Sequence, residues 1–283
     1  MGPRPGGRVC SQMKAVVRLQ RVDASARWSD LMHLPERDIP LDEAALLISA
    51  HANPALDVTA QLGRLDELAT RVDGTDSQTL CRVLFDDLGL RGDREHYDDP
   101  ANSYLDQVLD RRRGIPISLS VLLIEIGRRC GIRLEAVGMP GHFLVRDPAD
   151  PQLLIDAFDR GRRLSRTDCE RLLQSVTGGA GHLTKDMLAA TGPRAILARM
   201  LANLDRSFER RGDIASLKWV SDLRWKVPAA PPGDRRQLAA RLAGLGRLDA
   251  AAEVLEALAQ VAANPSVRDR LLAEALTLRA RLN

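Results

Sequence analysis

Aromatic side chains are scarce in this chain: Phe, Trp and Tyr together make up 3% of its 283 residues. A core must therefore be filled mainly by Leu, Ile, Val and Ala. Concentrated charge is lacking too. The formal net charge is +3, and the longest basic run is Arg111-Arg112-Arg113, which suits the negative end of a helix dipole better than a phosphate backbone. Nucleic acid is not expected as a partner. No stretch of about 18 apolar residues occurs, so no membrane span is expected. The four cysteines, Cys10, Cys81, Cys130 and Cys169, form no CxxC pair, which removes support for a structural zinc site and fits reduced thiols in the cytoplasm. The basic first 22 residues lack a continuous apolar segment of the signal-peptide kind, and residues 1–30 read as a disordered tail.

What is present is the composition of a globular protein, 45% apolar and 28% charged, on a chain long enough for one large domain or two modest ones. Helical spacing of apolar residues begins after Pro40, with Leu41, Ala44, Ala45 and Ile48 on one face and Asp42 and Glu43 in the first turn. A second helix carries Leu62, Leu65, Leu68 and Ala69, and a third covers about 76–88. Residues 89–100 read as a surface loop, after which Asn102 and Ser103 cap a helix through Leu105, Val108 and Leu109.

Residues 116–130 are the most hydrophobic helix. Pro116 occupies the first helical position, apolar residues point in nearly every direction, and Gly131 ends the run, so this helix should be buried. Three strand-like runs follow, 134–139, 142–146 and 153–158. After Gly161 the chain reads as helical to its end. Gly212, Ile214 and Val220 are repeated at Gly246, Leu248 and Val254, an offset of 34 that equals the tetratricopeptide (TPR) period.

If the second and third strands form a hairpin centred on Ala149, Arg146 faces Gln152, Leu144 faces Leu154 and His142 faces Asp156. Opposed side chains share a face, about 4.5–5.5 Å apart at Cβ. Such a pair is either a structural contact that closes a sheet edge or an imidazole whose tautomer and basicity a carboxylate sets. Two ligands are too few for a metal, and no cofactor is expected.

The stretch Arg113-Gly114-Ile115-Pro116-Ile117-Ser118-Leu119-Ser120, the buried helix with Gly131-Ile132, then Pro140-Gly141-His142-Phe143 and Ile155-Asp156 resemble the transglutaminase-like superfamily. With Pro40 to Leu47, Asp99 to Ser103, Asp156 to Gly161 and Leu197 to Leu204, the pattern resembles the bacterial SirB-type family in particular. The resemblance implies an α+β fold: a helical N-terminal part, a papain-like core in which a small antiparallel sheet packs on the buried helix, and C-terminal TPR-like helices. The implied domains are 31–180 for the core with its helical subregion and 181–283 for the tail. The resemblance also places a catalytic base at His142, its orienting carboxylate at Asp156, and the nucleophile position on Pro116.

Proline carries no nucleophile. Cys130 lies at the far end of the helix, about 20 Å away. Ser118 should face away from His142, and Ser120, one turn deeper on the side of Pro116, reaches the pair only if the helix is shifted. A helical hydroxyl of that kind more often bonds back to the i−4 carbonyl. Arg113, Pro116, Ser120 and Asn102 are expected around a cleft, and Tyr97 could rim it. Two functions are implied: a non-catalytic module that binds a protein or peptide through a degenerate cleft and the helical tail, or a hydrolase or transamidase in which His142 and Asp156 activate Ser120 or water.

Overall fold

The computed structural model describes residues 23–179, 182–228 and 232–281. The expected tail falls outside this range for residues 1–22. Its last part does not hold, because Ala24–His33 is a helix (α1), capped by the Asp23 carboxylate and carrying the fully buried Trp28. The indole Nε1–H of Trp28 donates to the carbonyl of Leu223 at 3.2 Å, tying this helix to a segment far along the chain.

The N-terminal helical part continues with α2 (Leu41–Ala52), α3 (Val58–Ala69) and α4 (Ser77–Cys81), which runs on as a π-helical segment, Arg82–Asp87. Helix α2 is buried on nearly every side. A two-residue strand, β1 (Arg91–Gly92), then pairs in parallel with β2 (Arg113–Gly114), so the expected surface loop is anchored at its start. Between them lies α5 (Leu105–Arg111). Asn102 and Ser103 do not cap it. They sit in a short 3-10 turn, Pro100–Ser103, and Tyr104 takes the cap position without a side-chain bond.

Helix α6 (Pro116–Arg129) is the buried helix, with Pro116 at its first position. Its start is fixed by Ser118, whose hydroxyl accepts from the Ile115 N–H at 3.1 Å and donates to the Asn102 carbonyl at 2.6 Å. At its other end, the buried Asp42 of α2 receives Arg129 at 2.6 Å and Arg128 at 3.1 Å. Burial pushes the Asp42 carboxyl up. The Arg129 hydrogen bond, the Glu43 N–H and the two arginine charges outweigh it, leaving the group below its ordinary value.

The sheet is β3 (Glu135–Val137), β4 (Leu144–Arg146), β5 (Leu154–Asp156) and β6 (Arg162–Leu164), antiparallel in chain order. The fourth strand interrupts the helical run expected after Gly161. Helix α7 (Arg166–Thr177) follows, capped by Ser165. The α+β class thus holds, with a small sheet on a mainly helical body.

The remaining helices are α8 (Pro193–Arg211), α9 (Ile214–Lys226), α10 (Pro232–Gly244), α11 (Leu248–Val261) and α12 (Pro265–Ala280). The repeat seen in the sequence is built into the turns. Asp213 N–H donates to the Phe208 carbonyl and Arg247 N–H to Leu242, while Gly212 and Gly246 both take positive φ. Both hairpins therefore turn through the same C-terminal motif. The packing does not divide near residue 180. Residues of α8 and α9, from Ile196 to Val227, join the apolar cluster that contains Trp28 and α6, and a separate cluster begins at Leu238. The physical reason is the apolar stripe Ile196, Leu197, Met200, Leu201 and Leu204, which one face of α8 buries against the core.

Candidate functional site

His142 follows a tight turn. The His142 N–H donates to the Met139 carbonyl at 3.1 Å, with Pro140 and Gly141 between. Gly141 has φ +72°, which a side chain would strain, and a Cβ there would stand 2.2 Å from Val176. This turn, not a strand, presents the imidazole, since β4 begins only at Leu144.

The hairpin register differs from the expected one. Arg146 pairs with Leu154 and Val145 with Ile155, two residues away from the pairing centred on Ala149. The extra loop residues are held by turns at Asp147–Asp150 and Asp150–Leu153. A shift of two keeps every side chain on its face. His142 and Asp156 therefore still meet, now diagonally: His142 Nε2 lies 2.9 Å from Asp156 Oδ2. The approach does not meet hydrogen-bond geometry, so the two side chains adjoin without a well-aligned hydrogen bond. Asp156 is held from behind, its Oδ1 accepting from the N–H groups of Phe158 at 3.0 Å and Asp159 at 3.2 Å. The Phe158 ring stands edge-on to His142 and to Tyr97, and it can lie where it does because Gly92 has no Cβ, which would come within 2.5 Å of the ring.

In front of His142 is a cavity of about 280 Å³, lined by Pro116, Ile117, Tyr97, Pro140, Phe143 and three side chains of α8, Arg199, Asn203 and Arg206. Pro116 and His142 thus look onto one space. The other expected cleft residues do not. Asn102 is fully buried, its amide donating to the His96 carbonyl while Arg111 donates to its Oδ1. Arg113 turns to Asp93 and Glu95. Ser118 belongs to the cap of α6. Ser120 is fully buried off the cavity, and its hydroxyl makes no hydrogen bond among the described residues, not even to the i−4 carbonyl.

None of the described cysteines compensates. Burial pushes the Cys81 thiol up to about 12 and Cys169 to about 11, and it raises Cys130 as well, so all three are poor thiolates near neutral pH. Cys10 lies outside the described residues. Among the described residues no group of three or more His, Cys, Asp or Glu is placed to hold a metal ion, and no helix is long and apolar enough to cross a membrane.

Sequence reasoning missed Arg199, Asn203 and Arg206. Their spacing on one helical face was visible, but nothing local says that α8 folds back over the cleft. Arg199 Nη2 donates to the carbonyls of Met139 at 3.0 Å and His142 at 2.6 Å, and its guanidinium lies 5.3 Å from the centre of the Phe143 ring. It clamps the turn that carries the imidazole.

Comparison with protein families matches residues 52–202, just over half of the chain, to the transglutaminase-like superfamily. The chain belongs to the transglutaminase-like superfamily. The matched span includes α6, the sheet and the part of α8 that holds Arg199. Among curated proteins, a UPF0162 protein of Xylella fastidiosa (strain Temecula1) is 37% identical over 190 residues, covering 62% of this chain and 68% of the relative. A UPF0162 protein of Pseudomonas aeruginosa is 35% identical over 187 residues, 63% of this chain and 68% of the relative. These matches put this transglutaminase-like protein in the UPF0162 family. F-box only protein 21 of Homo sapiens is 36% identical over 150 residues, half of this chain but 23% of that protein. No solved structure matches.

Proposed function

We propose that the protein is a non-catalytic transglutaminase-like module that binds a protein or peptide segment in the cleft before His142. The observation that carries this reading is the pairing of Pro116 with His142 across one cavity. His142 and Asp156 lie side by side, while the residue of α6 that faces them across the cavity, Pro116, offers no atom that could attack a carbonyl, and the buried Ser118 hydroxyl of the same turn is spent on the helix cap. Neither Ser120 nor a described thiol lines that space. The SirB-type resemblance, which carries proline at the same place, and the hairpins of TPR-like period point the same way, toward a regulatory or scaffold role. Free thiols at Cys81, Cys130 and Cys169 fit a cytoplasmic setting.

The test is turnover. Wild type and His142→Ala, both shown to be folded, are assayed for amide and ester hydrolysis and for amine incorporation on a broad peptide panel. No turnover by either is the expected result. Turnover by the wild type that disappears in His142→Ala would make the protein a hydrolase or transamidase and overturn the reading.

A further inference from the structure

The charge of the cleft is one-sided. Arg199 and Arg206 line it, and no Asp or Glu does. Asp156 stands behind the imidazole, occupied by His142 and two backbone N–H groups. Two other arginines of α8 and one of α9 have carboxylate partners, whereas Arg194, at the start of α8, donates to the carbonyls of Met32 and Leu34. Arg210 meets Asp98, Arg211 lies 3.8 Å from Asp99, and Arg224 lies 2.7 Å from Asp205. Arg206 meets only the amide oxygen of Asn203, and Arg199 meets only carbonyls and a ring. The bonds of Arg199 run through Nη2, and its Nε and Nη1 have no partner among the described residues.

A half-buried guanidinium without a counter-ion is costly unless an anion completes it. Burial already draws Arg199 below its ordinary value. The positive end of α6 opens onto the same cavity at Pro116 and Ile117, adding to the field without a charge of its own. The walls formed by Tyr97, Pro140 and Phe143 are apolar and aromatic, which suits the body of a peptide residue around a charged tip.

We propose that this cavity recognises a carboxylate of a peptide segment, held by Arg199, Arg206 and Asn203 beside His142. The inference rests on the binding-module reading and names the chemistry its ligand must carry. Two sources would supply the group, an Asp or Glu side chain or a free chain end.

Four labelled, N-acetylated hexapeptides of Gly, Ser and Ala distinguish them. One carries a central Glu and an amidated end, one a central Gln and a free end, one a central Gln and an amidated end, and one a central phosphoserine and an amidated end. Binding to the full chain is read by fluorescence anisotropy, and the imidazole signal of His142 in a ¹H–¹³C NMR spectrum reports whether the peptide enters the cavity.

At least one carboxylate peptide should bind about tenfold tighter than the Gln amide and move the His142 signal. The preference should fall when salt is raised from about 0.05 to about 0.5 M. Arg206→Gln, an exposed change, should remove most of it, and Arg210→Gln, on the same helix outside the cavity, should not. The proposal is overturned if the Gln amide binds as tightly, if only the phosphopeptide binds, if no peptide binds, or if the preference survives Arg206→Gln. Equal binding of neutral and acidic peptides would leave the binding-module reading in place. Cleavage of a peptide would remove that reading instead.

Discussion

Two of the three apolar clusters among the described residues are built on different plans. The first gathers Trp28, Phe85 and the branched residues of α2, α6, α8 and α9, and joins segments nearly two hundred positions apart. The second, from Leu238 to Leu278, is local and rich in alanine, with Ala239, Ala250, Ala251, Ala252, Ala259 and Ala275 among its members. Small side chains let helices approach closely but bury less apolar surface per residue. The cleft takes its helix start and its α8 wall from the first cluster, while its turn leans on Met139, a member of the third cluster between the sheet and α7. Its turn, its helix start and its α8 wall are fixed by long-range contacts, and the last three helices reach α8 away from the cavity, where Arg241 pairs with Asp205 and Glu209.

The largest test of this contrast is Trp28→Ala. It removes a fully buried indole and the bond to Leu223, and should cost about 3–5 kcal/mol in denaturant unfolding, with the His142 environment lost in the same transition. Leu255→Ala, in the second cluster, should cost about 3 kcal/mol. Here helicity should be lost in a first step while the His142 NMR signal stays in place. A single transition shared by both regions would erase the distinction.

Gly141→Ala sharpens the comparison at the turn of the cleft. A left-handed φ should cost about 1–2 kcal/mol, and the contact with Val176 should displace the turn. The expected result is a modest loss of stability with a changed His142 signal, whereas Gly179→Ala, strained in φ but clear of neighbours, should leave that signal alone. The smallest effect concerns acid. Asp42 is held below its ordinary value, so it stabilises the fold above its unfolded-state value, near pH 4, and that share is lost as pH falls through the folded-state value. Unfolding free energy should therefore drop more steeply in acid with Asp42 than with Asp42→Asn, by up to about 1.4 kcal/mol per pH unit. The pair is best compared in a Glu125→Gln background, because burial and the charge of Asp42 raise Glu125.

Local signals in the sequence carried much of this. Pro116 at a helix start, Gly131 at its end, and the even spacing that puts His142 and Asp156 on one face are properties of short segments, and they survive a register shift of two. The hairpin turns at Gly212 and Gly246 were legible for the same reason. Three features were not. Helix α1 buries Trp28, Leu31 and Met32 at helical spacing, but the stripe is a single turn long and its anchor, the Trp28 bond to Leu223, lies on α9. Strand β6, Arg162-Arg163-Leu164, has no apolar alternation and exists through its pairing with β5. The α8 wall of the cleft depends on how that helix packs, which no local pattern states.

The central claim is that the cleft is an assembled base and carboxylate facing a position from which the nucleophile is missing. Pro116→Cys tests it most directly, by the pH dependence of thiol alkylation, with and without His142→Ala. A cysteine at the first turn of α6, on the same cavity as His142, should alkylate with a midpoint well below about 8.5, and His142→Ala should move that midpoint up. A midpoint at the ordinary thiol value, unchanged by His142→Ala, would mean that the two positions do not act on each other and would contradict the account.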